Sequence, residues 1–190
     1  MHEVFGRPVD TSIFEELFTK RLHLRRPVEA DAAAVIAIAG DWEVARRLAR
    51  MPHPYGRPDF DHFLAHIVPV EHTWCIVLRD TDELIGMTGL SPQGESSSAE
   101  LGYYLGRPHW DLGFATEAGE AVVRFGFERL GCRKLVSRFH ADNPASGRVL
   151  SKLGFEPIGV SNHSCLAEGK LKPTVDMELV PHSPRRGRGN

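Results

Sequence analysis

Residues 100–118 read ELGYYLGRPHWDLGFATEA, and the order of elements in this stretch decides the fold. The aromatic and aliphatic residues up to Leu105 favour a β-strand, which a Gly-Arg-Pro breaker ends. A loop containing Gly113 follows, and an apolar periodicity typical of a helix begins at about Phe114. The first amides of such a helix have no acceptors within the helix, and the helix dipole favours negative charge beside them. The stretch therefore predicts a strand, a loop and a helix start that together bind an anion.

The loop before the helix excludes one common class of nucleotide site. Gly113 lets the backbone approach a ligand closely, and Ala115 keeps side-chain bulk low at the same place. No Lys-Ser/Thr pair follows, so this is not a nucleoside-triphosphate loop, and the GxGxxG pattern is absent as well. We expect the site to accept a pyrophosphate group without a required metal.

Further elements follow from hydrophobic periodicity and from breaker residues. Near the N-terminus we expect one or two helical turns in residues 13–18, a strand at Arg21–Arg25, and a helix that Asp31 caps and that ends near Gly40. The other expected elements are helices at Glu43–Arg50, from Asp59 to about His66 and from Asn143 to Leu153, and strands at Thr73–Leu78, Leu84–Leu90, Lys134–His140, Phe155–Val160 and Val175–Val180.

This order of elements predicts the fold class and the extent of the domain. We expect a single α/β domain over residues 1–180, with a mixed central β-sheet of about seven strands and helices on both faces. Residues 181–190 contain three arginines and little apolar surface, so they are predicted to be a disordered basic tail.

Composition excludes several classes of partner. The chain has 23 Lys and Arg against 25 Asp and Glu, a formal charge of −2, so no basic field indicates specific nucleic-acid binding. The longest apolar run, Ala32–Ala39, is far shorter than the ~18 residues that a membrane-spanning helix needs. No export leader is visible, and three cysteines without CxxC spacing fit a reducing compartment. We therefore expect a cytoplasmic protein.

Two further features make the central stretch more specific. Gly102 lies among aromatic strand residues, and residues 143–155 read NPASGRVLSKLGF. Together with the loop they resemble the GNAT superfamily of acyl-CoA-dependent N-acyltransferases, and most closely the branch of RimJ/RimL-type ribosomal-protein N-terminal acetyltransferases. In place of the Gln or Arg that the wider family has three residues before the glycine, this chain has Trp110, a departure that the branch shares. The matching residues are Thr19–Pro27, Asp31-Ala32, Leu84–Gly86, Glu100–Tyr103, Trp110–Ala118 and Asn143–Phe155.

The resemblance implies a site for acetyl-CoA as cosubstrate. It would lie in a V-shaped gap where the parallel strands Ala99–Leu105 and Lys134–His140 splay apart, with its pyrophosphate on the amides of residues 111–116. Its pantetheine arm would pair with the backbone of one strand, like an added strand. The implied cofactor-binding residues are Tyr103, Tyr104, Leu105, Trp110, Asp111, Leu112, Gly113, Phe114, Ala115, Thr116, Asn143 and Ser146.

The implied activity is transfer of acetyl to a primary amine by direct attack in a ternary complex. Glu100 would take the amine proton or only position the acceptor. Many relatives have a tyrosine seven residues after the asparagine, where this chain has Leu150. Ser146 is then the available hydroxyl, either as a hydrogen-bond donor to the departing thiolate or as a helix cap.

The acceptor and the partners are left open by the sequence. An α-amine is about 10% neutral at pH 7 and a lysine roughly 0.04%, so a protein N-terminus needs less help from a base. The alternatives are a small amine (amino acid, polyamine or antibiotic) and a non-catalytic acyl-CoA-binding module. A homodimer is open too. Asp59, His62 and His66 share a helix face at ligand-like spacing, but nothing completes the set, and we expect no metal.

Overall fold

A single β-sheet of eight strands crosses the computed structural model, which describes residues 13–93 and 98–181. The strands follow the order β1-β2-β3-β4-β5-β6-β8-β7, and within these described ranges only β5 and β6 run parallel to each other. The strands are β1 (Leu17–Phe18), β2 (Leu22–Arg25), β3 (His72–Leu78), β4 (Leu84–Pro92), β5 (Ser98–Leu105), β6 (Lys134–His140), β7 (Glu156–Cys165) and β8 (Lys170–Leu179). The α-helices are α1 (Ala32–Ala39), α2 (Trp42–Ala45), α3 (Arg57–His62), α4 (Phe114–Glu128) and α5 (Pro144–Lys152).

Helices cover both faces of the sheet, as the sequence predicts. On one face α4 buries Ala118, Val122 and Phe125 in the larger core cluster, which also contains Leu150 of α5. On the other face α1 and α3 contribute to a smaller cluster around Phe60. The mixed α/β class with one parallel pair is therefore confirmed.

The parallel pair separates soon after it forms. β5 and β6 are paired only at Ser98–Lys134, Ala99–Leu135 and Glu100–Val136. At the next position the Ser137 hydroxyl donates to the carbonyl of Leu101 at 2.8 Å, in place of a backbone bond. The splayed strands implied by the resemblance are present, and the gap between them opens immediately after Glu100.

The N-terminal segment differs from the expectation of helical turns. Phe14 stacks on Trp74 with ring centroids 5.3 Å apart, and the Trp74 indole donates to the carbonyl of Glu15. Leu17 and Phe18 then pair with β2 as a short strand. The apolar residues of this segment cover the edge of the core, and long-range packing outweighs the local periodicity.

Asp31 occupies the predicted N-cap position of α1, but its side chain makes no cap bond to that helix. Its carboxylate makes two hydrogen bonds to the Arg25 guanidinium, at 2.7 and 2.8 Å, and accepts one from the amide of Val28. Two hydrogen bonds to a guanidinium outweigh the single bond of a helix cap, so the side chain turns toward β2, and α1 still begins at Ala32.

The remaining differences concern element lengths. α2 ends at Ala45 instead of Arg50, and α3 passes into one π-helical turn at Phe63–Ile67. β7 and β8 form a hairpin longer than predicted. The predicted basic tail lies, apart from Pro181, outside the described residues, and it stays a prediction together with the domain boundary. In the described ranges no helix is both long and apolar enough to cross a bilayer.

Helix α5 is held against β6 at a glycine. A Cβ added to Gly147 would lie 2.6 Å from Cζ of Phe139, closer than two carbon atoms can approach. The missing side chain therefore sets how closely the helix carrying Asn143 and Ser146 approaches the gap.

Gly147→Val is expected to lower the free energy of unfolding by about 2 kcal/mol, because the added methyl groups displace the Phe139 ring. Ser151→Val is the matched control, since it places the same side chain on an exposed position of α5 and should cost less than about 0.5 kcal/mol. Denaturant unfolding of the full chain measures both. Equal effects would show that the contact with Phe139 does not limit the position of α5.

Candidate active site

A cleft of about 830 Å³ opens where β5 and β6 separate. It is lined by these two strands, by the first turns of α4 and α5, and by the segment after α2. Every site residue predicted from the sequence lines this cleft except Leu112. Leu112 is 54% exposed, although its carbonyl belongs to the loop that forms one end of the cleft.

The loop before α4 turns sharply through two left-handed residues. Asp111 has φ 58° and Gly113 has φ 82°, a conformation that costs glycine little. The Arg21 guanidinium donates to the carbonyl of Leu112 at 3.0 Å and lies 4.2 Å from the centroid of the Phe114 ring. The loop is thereby fixed with the first amides of α4 directed at the cleft.

Glu117 links this loop to the N-terminal strands. Its carboxylate accepts hydrogen bonds from the Thr19 hydroxyl at 2.6 Å, the Arg21 amide at 2.8 Å and the Arg21 guanidinium at 2.7 Å. Burial opposes its ionisation, but these bonds outweigh burial and lower the pKa of Glu117. The start of α4 is therefore held by a charged network that sequence reasoning missed, because its members lie almost 100 residues apart.

A second hollow adjoins the start of α4 and carries positive charge. Lys20, Arg124 and Lys152 line it together with Gly113 and Thr116, and so do two carboxylates, Glu120 and the Glu117 that pairs with Arg21. Three cations and a helix N-terminus at one place favour phosphate groups.

Every second peptide group of β5 faces the gap between β5 and β6. The amide of Gly106 donates to Ile85 in β4, whereas the carbonyl of Leu101 accepts from Ser137 in β6. Successive peptide groups of a strand point to opposite sides. The peptide groups of Tyr103 and Leu105 therefore face the gap, and that of Tyr104 faces β4. The Trp110 indole donates to the carbonyl of Leu105 at 2.8 Å.

Two hydroxyl groups meet between β5 and α5. The Tyr103 hydroxyl lies 2.8 Å from Oγ of Ser146 and 3.0 Å from the carbonyl oxygen of the same residue. Burial raises the pKa of Tyr103 to about 12, so the phenol stays protonated at neutral pH. Asn143 occupies the N-cap position of α5 without a side-chain cap bond, and Leu150 is fully buried.

Glu100 lies at the fork of the strands with a side chain that is 26% exposed. Its Oε2 accepts from Gln93 at 3.0 Å and from the Arg138 guanidinium at 3.2 Å. Its Oε1 forms an ion pair with Arg138 at 3.0 Å. Both side-chain hydrogen bonds found among residues 13–93 and 98–181 end on Oε2, and the partner of Oε1 is the Arg138 guanidinium in the ion pair.

The polar end of the cleft consists of Arg50, Glu71, Ser91, Glu100 and Arg138. A second ion pair joins Arg50 to Glu71 at 2.9 Å, and Arg50 also lies 3.2 Å from the Ser91 hydroxyl. Each of the two carboxylates at this end is matched by an arginine, so the polar end carries no net charge.

The β7–β8 hairpin closes this end of the cleft. Its turn is bonded to the segment after α2 through the amide of Leu166 and the carbonyl of Ala49, 3.2 Å apart. The buried Lys172 ammonium contacts Asp142 at 2.7 Å, Glu168 at 2.9 Å and the carbonyl of Arg46 at 3.2 Å. These contacts fix the hairpin across the cleft.

The three residues considered above as metal ligands, Asp59, His62 and His66, make other contacts in the structure. The Asp59 carboxylate accepts from the Gly56 amide at 2.8 Å, which caps α3, and the rings of His62 and His66 stack at 4.5 Å. In the parts of the chain that the structure describes, no group of three or more His, Cys, Asp or Glu is placed to hold a metal ion.

Comparison with known proteins agrees with this geometry. The chain is 30% identical over 162 residues to an uncharacterised N-acetyltransferase, p20, of Bacillus licheniformis, covering 83% of this chain and 91% of that protein. It is 28% identical over 111 residues, 57% of each chain, to the [ribosomal protein uS5]-alanine N-acetyltransferase of Escherichia coli. The likeness to the RimJ/RimL-type branch is thereby confirmed.

A solved structure shares the fold. Spermidine N-acetyltransferase from Vibrio cholerae, in complex with CoA and spermine, superposes with a TM-score of 0.74 over 85% of this chain and 96% of that one, at 18% identity. The acetyltransferase (GNAT) domain model matches residues 21–156, from β2 to the first residue of β7. The chain therefore belongs to the GNAT acetyltransferase family.

Proposed function

We propose that this chain transfers an acetyl group from acetyl-CoA to the α-amino group of a peptide or protein N-terminus, by direct attack in a ternary complex. The separation of β5 and β6 immediately after Glu100 carries the proposal. It brings one carboxylate, one strand with unpaired peptide groups and one helix start into the same cleft.

The residues of the cleft fit acetyl-CoA. Its pyrophosphate suits the first amides of α4, beside Lys20, Arg124 and Lys152. The peptide group of Tyr103 faces the gap and can pair with an amide of the pantetheine arm. The Leu105 carbonyl already accepts a hydrogen bond from the Trp110 indole. Leu105 therefore contributes less to pairing with the pantetheine arm than the sequence suggests.

The thioester would lie between Glu100 and Ser146. The neutral amine forms the new C–N bond, and the C–S bond breaks with its electron pair on sulfur. Glu100 accepts the proton that nitrogen loses, directly or through water, at Oε1. The Ser146 hydroxyl donates a hydrogen bond to the sulfur as negative charge develops there.

The charges at the polar end favour an α-amine as acceptor. A polyamine or an aminoglycoside needs unmatched carboxylates, whereas Glu71 and Glu100 are each paired with an arginine. An α-amine is already about 10% neutral at pH 7 and needs less help from a base than a lysine does, although the proton released on attack still has to be accepted. The uS5-alanine acetyltransferase, whose name states an alanine acceptor, is a relative consistent with this choice.

An acceptor panel tests the proposal. The panel has four acceptors: a short peptide with N-terminal alanine, the same peptide with a blocked N-terminus and one added lysine, free alanine, and spermidine. Chromatography measures the CoA released with each acceptor. We expect the free N-terminus to give at least tenfold higher kcat/KM than each other acceptor. Preference for spermidine would overturn the α-amine assignment, and CoA binding without release on any amine would indicate a binding module.

Glu100→Gln is expected to lower the turnover number about 100-fold at pH 7, because the side chain can no longer accept the amine proton. The affinity for acetyl-CoA should change less than twofold. Glu128→Gln, on the exposed end of α4, is the control for loss of one carboxylate. If Glu100 takes the proton, the difference in turnover number between the parent and Glu100→Gln shrinks as pH rises past the pKa of the amine. A difference that stays constant with pH would leave Glu100 only a positioning role.

Gly102→Val tests the path of the acceptor beside Glu100. A Cβ at Gly102 would meet no atom of the described residues within 4 Å, and this residue lines the cleft. The substitution should leave the melting temperature within a few degrees of the parent and lower kcat/KM for the peptide at least tenfold, by filling the space. Gly159→Val, equally open on β7, is the matched control, and equal kinetics of the two variants would place the acceptor elsewhere.

A further inference from the structure

Tyr103 contacts the hydroxyl that the proposed reaction uses, although no sequence pattern places it there. It projects from β5 onto the face of the sheet that α4 and α5 cover, and its hydroxyl reaches Ser146 in the first turn of α5. Leu150, one turn further along α5, is buried in the core and offers no polar group to the gap. Tyr103 is therefore the second hydroxyl at the thioester end.

The pair of hydroxyls has two arrangements of its protons. In the first, Tyr103 donates to the carbonyl oxygen of Ser146 at 3.0 Å and accepts from the Ser146 hydroxyl. In the second, Tyr103 donates to Oγ of Ser146 at 2.8 Å, which frees the Ser146 proton to point away from the phenol. No heavy atom has to move between the two, because only hydroxyl rotors turn.

We infer that Tyr103 is a positioning residue that directs the Ser146 hydroxyl at the sulfur of the departing CoA. The inference rests on the proposed function. As the C–S bond breaks, negative charge on sulfur favours the second arrangement, in which Tyr103 donates to Ser146 and Ser146 donates to sulfur. No bond other than C–N and C–S changes, and the proton that neutralises the thiolate comes from solvent after the step.

The environment of Tyr103 suits this role. Its raised pKa, caused by burial, keeps the phenol a donor over the working range of pH. A serine alone can turn its proton to any nearby acceptor, its own helix included. A second donor on Oγ removes that competition, and coupled hydroxyls in a region of low dielectric strengthen one another.

A double-mutant cycle tests the coupling. In single-turnover reactions with the N-terminal alanine peptide, Tyr103→Phe should lower the rate about tenfold and Ser146→Ala about tenfold or more. The double variant should be within twofold of Ser146→Ala, because Tyr103 acts through Ser146. A rate loss in the double variant equal to the product of the two single losses would overturn the inference. A Tyr103→Phe rate within twofold of the parent would also overturn it. CoA affinity and melting temperature control for a merely structural role, which would change these instead.

A titration of bound CoA tests the same coupling without an acceptor. The ultraviolet absorbance of the thiolate, recorded against pH with saturating protein, gives the ionisation constant of the bound thiol. We expect it to be about tenfold smaller for Tyr103→Phe than for the parent, since the thiolate loses its directed donor. Equal constants would overturn the inference. A parent that binds CoA but transfers no acetyl group would refute the proposed function alone, and the titration would still decide the role of Tyr103.

Discussion

The early separation of β5 and β6 is the constraint on which the site depends. After Glu100 the two strands no longer satisfy each other's peptide groups, and buried peptide groups need partners. Side chains supply two of them, since Ser137 bonds the carbonyl of Leu101 and the Trp110 indole bonds that of Leu105. The peptide group of Tyr103 lies between these positions and faces the gap. The gap is thus suited to a ligand that carries amides of its own.

Two rigid halves hold this gap open. β5 is paired with β4 along its length from Ala99 to Leu105, and β6 is paired with β8 from Leu135 to His140. Beneath the gap α4 and α5 meet at Gly119, where an added Cβ would lie 2.6 Å from Leu153. Above it, the contacts of Lys172 fix the hairpin to the segment after α2. β5 and β6 cannot move into the gap without breaking their pairing with β4 and β8.

The sequence predicts what depends on neighbours in the chain and misses what depends on distant pairs. The strand, the loop with Gly113 and the start of α4 follow from a continuous stretch, so their order is correct and the strand begins within one residue of the predicted Ala99. The bonds of Glu100 to Arg138 and of Tyr103 to Ser146 join residues about 40 positions apart, and no local pattern records them. Asp31 occupies the N-cap position that the sequence predicts, but its carboxylate pairs with Arg25, six residues earlier, and makes no cap bond to α1.

If the proposed reaction takes place in the cleft, the distribution of charge there bears on the protonation state of the amine acceptor. At the start of α4, three cations outnumber the two carboxylates beside them, and with the helix amides they suit the anionic end of the proposed cosubstrate. At the polar end each carboxylate is matched by an arginine, so an ammonium group gains little by binding there. A neutral amine loses less on leaving water and is also the form that can attack a carbonyl carbon. In the reaction we propose, pairing the carboxylates thus disfavours the unreactive form of the amine, and Glu100 is the group that takes the proton released by attack.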